Sequence, residues 1–358
     1  MAESDYARSG VDTDRADHAL SRLLLEISPT LAFGAPSELG FGHFAAVIRA
    51  GPLRIALTTD GVGTKLLLAE LAGRYDSIGI DCIAMNVNDL ICVGATPLAM
   101  LDYIAIEQAD ADVFEQIGRG LAAGAKQAGI SIVGGEVAQI PEMLRGAVPK
   151  RGLDLVGMAV GLVPEGDLLD GSAIEPGDAV LGVASTGVHS NGLSLARRVL
   201  LGRLKLDEFV EELGTTVGDE LLRPTRIYVE QVRALAAAGV RPRGIAHITG
   251  DGLINLRRVE APVGFEITDL PEPPAIFQLI QRLGEVERCE MRTVFNMGIG
   301  LTVVVRESDA DRALTAIHET GVEAWRIGHA VEDAERRVRI PAEGLIGQSR
   351  RFFPQEGT

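Results

Sequence analysis

Apolar residues recur along the chain in two rhythms. Short runs at Arg54–Thr59, Leu98–Ile106, Leu155–Val163, Ala179–Ala184 and Ile299–Val305 are rich in Val, Ile and Leu. Runs of that length bounded by glycine or proline predict strands. Ser131–Val133, Ile245–Thr249, Phe265–Thr268 and Ala324–Ala330 read the same way. Between them the period lengthens. Ile83, Val87, Leu90 and Ile91 share one face of a helix expected over Ile80–Val93, with Gly94 at its end and Pro97 beyond. Val113, Ile117 and Leu121 predict a helix to about Gly129, opened by the capping-box pair Asp112 and Glu115. Further helices are expected near Asp17–Glu26, Leu193–Leu201, Ile227–Ala238, Pro274–Leu283 and Asp309–Thr320. Strands and helices mix in both halves, so the class is α/β (mixed α+β). The stretch Pro164–Gly177 holds two prolines, three glycines and several acids, which divides the chain into domains over 1–165 and 170–345.

Composition narrows the functions. The chain has 358 residues with a formal net charge of −16. It shows no dense Lys/Arg cluster, and Arg257-Arg258 and Arg336-Arg337 lie among acids. No nucleic-acid partner is therefore expected. A small phosphorylated substrate stays compatible, because a few local donors override global charge. Cys82, Cys92 and Cys289 form no Cys-x-x-Cys pair, which points to a reducing, cytoplasmic setting. The start MAESDYARSG has no apolar run of a signal peptide. No run approaches the roughly 18 apolar residues of a membrane helix, so no membrane partner is expected.

Four polar constellations interrupt this pattern. Asp60-Gly61-Val62-Gly63-Thr64-Lys65 follows a strand directly. Its glycines allow backbone N–H groups near phosphate oxygens, and Lys65 supplies a point charge. Its spacing is neither a Walker A loop nor a dinucleotide fingerprint, and a glycine turn with an exposed lysine explains it equally well. Asn86-Val87-Asn88-Asp89 puts amides and a carboxylate on an apolar helix, where unpaired polar groups are costly. Gly134-Gly135-Glu136 ends a short strand. Asp60, Asp89 and Glu136, if they converge, make a hard-oxygen set suited to Mg²⁺; singly, each acid is a cap or a surface charge. Ser185-Thr186-Gly187-Val188-His189-Ser190-Asn191-Gly192 opens a helix, where anions are favoured, and His189 titrates near neutrality.

Together these segments resemble the phosphoribosylformylglycinamidine cyclo-ligase (aminoimidazole ribonucleotide synthetase) family. The resemblance rests on Tyr6–Asp12, Thr58–Leu66, Asp76–Leu98, Ile132–Glu136, Ser185–Arg197, Pro224–Val229, Ala246–Gly250 and Arg292–Gly300, in that order. It implies a two-domain subunit whose N-terminal strands form a barrel across a homodimer. It implies ATP and Mg²⁺ as cofactors and closure of an imidazole ring on a ribonucleotide. Asp60, Lys65 and His189 would act in catalysis, and Asp60, Asp89 and Glu136 would hold the metal. ATP or substrate would meet Gly61, Gly63, Thr64, Asn88, Gly134, Gly135, Ser185, Gly187, Ser190 and Asn191. Gly40 and Gly42 resemble the family's glycine-rich arm, which closes over ligand. Val137 and Gln139 replace the family's usual threonine and glutamate, and Asp251 interrupts its glycine run after Gly250. The alternatives are a sister ATP-dependent enzyme of the superfamily and a non-catalytic nucleotide-binding homologue.

Overall fold

The computed structural model describes residues 13–355, so the Tyr6–Asp12 segment lies outside the described residues. The N-terminal part begins with helix α1 (Thr13–Ile27) and strands β1 (Ala46–Ala50) and β2 (Leu53–Gly61). Helices α2 (Lys65–Ala72) and α3 (Asp76–Cys92) follow, then β3 (Thr96–Ile106), α4 (Ala111–Ala128), β4 (Ser131–Gln139) and β5 (Leu153–Val163). The C-terminal part runs β6 (Ala179–Ala184), α5 (Leu193–Leu201), β7 (Phe209–Val210), β8 (Thr215–Thr216), α6 (Val217–Leu221), α7 (Val229–Ala237) and β9 (Gly244–His247). It continues β10 (Val263–Ile267), α8 (Ala275–Gly284), α9 (Arg288–Val294), β11 (Ile299–Val305), α10 (Ala310–Glu319) and β12 (Ala324–Glu332). Strands β13 (Val338–Ile340), β14 (Leu345–Gln348) and β15 (Arg351–Pro354) close the chain.

Each part builds one large sheet. The first has order β1-β2-β5-β3-β4, antiparallel except for the parallel pair β3 and β4. The second has order β15-β14-β13-β10-β12-β6-β11-β9 and extends past residue 345 to Pro354. In the first sheet, side chains alternate between two environments, as a pleat requires. Leu155, Gly157, Ala159, Met100 and Ile104 face inward and are buried. Helices α3 and α4 pack tightly against each other. A side chain at Gly79 or Gly120 would collide with the other helix's backbone, so both positions need glycine. The opposite sheet face carries Leu101, Tyr103 and Met158, all exposed, and forms an open half-barrel ending at the exposed strand β4.

Two expectations shift. Helix α4 is capped by Asp110, whose carboxylate accepts the amide protons of Asp112 and Val113; the expected Asp112–Glu115 box is not the cap. Strand β4 runs through Gly134-Gly135 to Gln139 instead of ending before them. A side chain at Gly135 would strike the Asp102 carboxylate on the neighbouring strand, so glycine there is a packing requirement of the sheet. Gly134 faces Leu101.

Candidate active site

Strand β2 delivers Asp60 to the point where the two parts of the chain meet. Asn86 on α3 grips the strand backbone there. Its Oδ1 accepts the Asp60 amide proton at 3.0 Å, and its Nδ2 donates to the Asp60 carbonyl at 3.1 Å. A side chain at Gly157 would displace that amide, so the bare strand makes the grip possible. One helical turn on, α3 presents Asp89, whose Oδ1 lies 2.9 Å from His247 Nδ1 at the end of β9. Asp60 and Asp89 are close enough to repel. Burial first, and the Asp89 charge second, push the Asp60 carboxyl up to about 6. The Gly61 amide, His247 and Arg258 oppose that rise. Two carboxylates near enough to repel would suit Mg²⁺, which takes hard oxygens and leaves other positions for phosphates.

The same place adjoins the glycine arm. Gly40, Gly42 and His43 line a cavity of about 320 Å³ with Phe44, Thr58 and Thr59. The Arg258 guanidinium stands 4.6 Å over the Phe44 ring and also acts on Asp60, so one cation links the cavity to the acid pair.

Glu136 does not join them. Asp60, Gly157, Asp102 and Gly135 form one row across the sheet, and Gly61, Val156, Tyr103 and Glu136 form the next. Glu136 is therefore on the opposite face, three strand spacings or roughly 14 Å away. Its carboxylate accepts its neighbour's amide proton at Val137. No group of three His, Cys, Asp or Glu among the described residues is arranged to hold a metal ion. The three-acid site expected from the sequence is not formed within one chain.

Lys65 also differs from expectation. It is fully buried, with Nζ at 2.9 and 2.8 Å from the two Asp81 oxygens. It donates as well to the Arg223 carbonyl. Burial lowers its proton affinity, and Asp81 opposes that shift. The ammonium is committed to an internal ion pair between α2 and α3, its bond to the Arg223 carbonyl ties that pair to the second part of the chain, and it is not free for a ligand. Asp81 further accepts the Ser190 hydroxyl at 3.2 Å and the Thr225 amide at 2.7 Å. Asn88, expected at a ligand, is buried and spans the same seam. It accepts from Tyr228 N at 2.9 Å and donates to the Arg226 carbonyl at 2.8 Å.

The remaining loop residues gather around this seam. Gly63 is exposed, whereas the Thr64 hydroxyl meets Ser194 at 3.1 Å and docks the loop on α5. Ser185 donates to Asn296 and to the Gly187 carbonyl. His189 is buried beside Tyr228 at left-handed φ 64°, and burial holds its ring well below the usual proton affinity. Asn191 lies near Gly250. Sequence reasoning missed Asp81, Arg226, His247 and Arg258. His247 lies inside the resembling segment Ala246–Gly250, but a lone histidine without metal spacing gave no signal of its carboxylate partner.

Comparison with known proteins agrees with this organisation. The family models for AIR synthase related protein match at residues 42–163 for the N-terminal domain and 175–341 for the C-terminal domain. The phosphoribosylformylglycinamidine cyclo-ligase of Methanothermobacter thermautotrophicus is 45% identical, covering 96% of this chain and 98% of that protein. That of Thermococcus kodakarensis is 45% identical, covering 95% and 98%. Among solved structures, the hydrogenase maturation protein HypE in complex with ATP superposes with a TM-score of 0.59 at 20% identity, covering 86% of this chain and 87% of that one. A likeness at that identity speaks for the fold alone. With near full-length identity of this order to two curated relatives, the chain belongs to the phosphoribosylformylglycinamidine cyclo-ligase family.

Proposed function

We propose that this protein closes the imidazole ring of aminoimidazole ribonucleotide from formylglycinamidine ribonucleotide, converting ATP to ADP and phosphate. The observation that carries the reading is the 45% identity over 96% of the chain to a relative of that name. The reaction has a clear physical logic. An amide oxygen is a poor leaving group. Transfer of the γ-phosphoryl group to it makes an iminophosphate, and the amidine nitrogen of the same molecule then attacks that carbon as phosphate leaves. Because both partners belong to one molecule, holding it folded supplies much of the acceleration.

The chain's own residues serve that scheme by position. Asp60 and Asp89 would hold Mg²⁺, which when bound neutralises charge on the transferring phosphoryl group. His247 fixes the Asp89 carboxylate from one side and Asn86 fixes the strand of Asp60. The arm at Gly40–His43 lies against the same corner and would cover the nucleotide and exclude water. Gly63 and Thr64 would offer backbone donors beside it, while the Gly61 amide donates to Asp60 itself at 2.7 Å. Lys65 and Asn88 act at one remove, by locking the two parts of the chain together.

The open half-barrel supports a homodimer, with a second copy covering Leu101, Tyr103 and Met158 and continuing the sheet at β4. No described helix is long and apolar enough to cross a membrane, and the cysteines are unpaired, in keeping with a cytoplasmic enzyme. The test is direct. Purified protein with ATP, Mg²⁺ and formylglycinamidine ribonucleotide should yield one ADP per ring closed. ATP binding with no ring product would identify a nucleotide-binding homologue instead.

A further inference from the structure

Three donors in the seam between the two parts of the chain face no acceptor. His189 Nε2 accepts the Thr186 amide proton at 3.1 Å, so Nε2 carries no proton of its own. A neutral imidazole then carries its proton on Nδ1. Burial, His247, Lys65 and Arg226 all disfavour a second proton on that ring. The resulting Nδ1–H is buried with no protein partner. Nδ2 of Asn191 and Nε of Arg226 are in the same condition. Buried donors left unpaired are costly, and native proteins keep few of them without a use.

Arg226 is the unusual member. No carboxylate among the described residues pairs with its guanidinium, although the chain carries 50 acids against 34 Lys and Arg. Its backbone is pinned on both sides. Thr225 N donates to Asp81, the Arg226 carbonyl accepts from Asn88, and Tyr228 N donates to Asn88. A cation on an immobile root, close enough to act on His189, is preorganised for a ligand. The neighbouring hydroxyl of Ser190 is already shared between Asp81 and Thr225. Asp81 Oδ2 is held by the Lys65 ammonium at 2.8 Å, so the groups left without any partner around His189 and Arg226 are donors. Such a set matches a group that only accepts, and a planar guanidinium matches phosphate oxygens best. On the function proposed above, the nucleotide's phosphates would sit with a cation held by Asp60 and Asp89. A cluster of unpaired donors suits a phosphate held by hydrogen bonds rather than through a metal.

We propose that Arg226, with His189 and Asn191, binds the 5′-phosphate monoester of the ribonucleotide substrate, an inference that rests on the cyclisation proposed above. The test removes the group from each side in turn. Arg226→Ala should raise KM for formylglycinamidine ribonucleotide by about 10- to 100-fold, the range of a lost charge-assisted hydrogen bond, and leave KM for ATP unchanged. The corresponding riboside, which lacks the phosphate, should show the same kcat/KM with both proteins. A variant that raises KM for ATP instead overturns the assignment and gives these donors to the nucleotide. So does one that prefers ribonucleotide over riboside by the wild-type ratio. If the alanine variant does not fold, Arg226→Lys keeps the charge and loses the fork. A several-fold rise in ribonucleotide KM is expected there, and no rise overturns the proposal. Wild-type protein that turns over nothing removes the functional reading itself. Calorimetry with ribose 5-phosphate then tests the subsite alone: weaker binding to the variant supports it, and equal binding sinks it.

Discussion

At the residue scale, Asp60 and Asp89 have different work from Lys65, which was expected beside them. Asp89 is partly open and oriented by His247, so its carboxylate is available to a cation. Asp89→Asn should lower turnover about 100-fold or more while the melting temperature moves by only about 3 °C or less. A large loss of melting temperature with activity retained would place Asp89 in the framework instead. The raised Asp60 carboxyl makes a second prediction. Its value of about 6 exceeds the ordinary 3.8 of an aspartate, so between those pH values the folded state binds more protons than the unfolded state. Stability of the metal-free protein therefore falls as pH rises from about 4 to about 6. Mg²⁺ favours the ionised pair, so it should raise the melting temperature more at pH 7 than at pH 5. Asp60→Asn should remove that difference, and a Mg²⁺ effect that ignores both pH and this substitution would count against the pair as a metal site. Lys65 behaves in the opposite way. Removing its ammonium strands Asp81 in the interior, and Lys65→Met should cost about 3–5 kcal/mol in urea unfolding. A folded, equally stable Lys65→Met protein would show that Asp81 has another counter-charge.

At the element scale, helix α3 explains why some of this was legible in the sequence and some was not. Its apolar face gave the helix, because Ile83, Val87 and Leu90 repeat at helical spacing and are all fully buried. Its polar positions were visible as anomalies, but their partners were not. Asp81 meets Lys65 from 16 residues away and Thr225 from 144 residues away, and nothing local announces such contacts. Gly134-Gly135 misled for a related reason. Glycines beside an acid suggest a phosphate loop, whereas here they let β4 lie against Asp102. Asp60 and Asp89 stood out as candidates because a carboxylate at a strand end beside glycines, or among amides on an apolar helix, is conspicuous in the sequence. His247 had none of those marks. The element itself is open to test through Asn88. Asn88→Ala leaves the Tyr228 amide and the Arg226 carbonyl unpaired in the interior, at about 1–3 kcal/mol each. The urea midpoint should fall accordingly with an unchanged m-value. Because Arg226 would lose its fixed root, ribonucleotide KM should rise in parallel while ATP KM stays put.

At the scale of the whole molecule, the first sheet is finished on one face only. Its inner face is closed by α3 and α4, and its outer face offers Leu101, Tyr103 and Met158 to solvent beside a strand with an unpaired edge. Exposed strand edges backed by apolar side chains are templates for association, and soluble proteins that keep them blunt them or cover them. Glu136 is the one charged residue on this edge; Val133 and Val137 are apolar and exposed, and proline and lysine are absent from the strand. A second copy meets both needs at once, since it covers the apolar face and supplies a partner for the edge. The pair Tyr103→Asp and Met158→Asp should therefore shift the mass measured by light scattering from two chains to one. Circular dichroism should stay unchanged, because neither side chain contributes to the inner core. A wild-type protein that runs as a single chain at micromolar concentration would rule out this face as a stable self-interface. If the dimer forms and the double variant dissociates it, turnover measured on the resulting monomer tells whether the Asp60–Asp89 corner is complete within one chain.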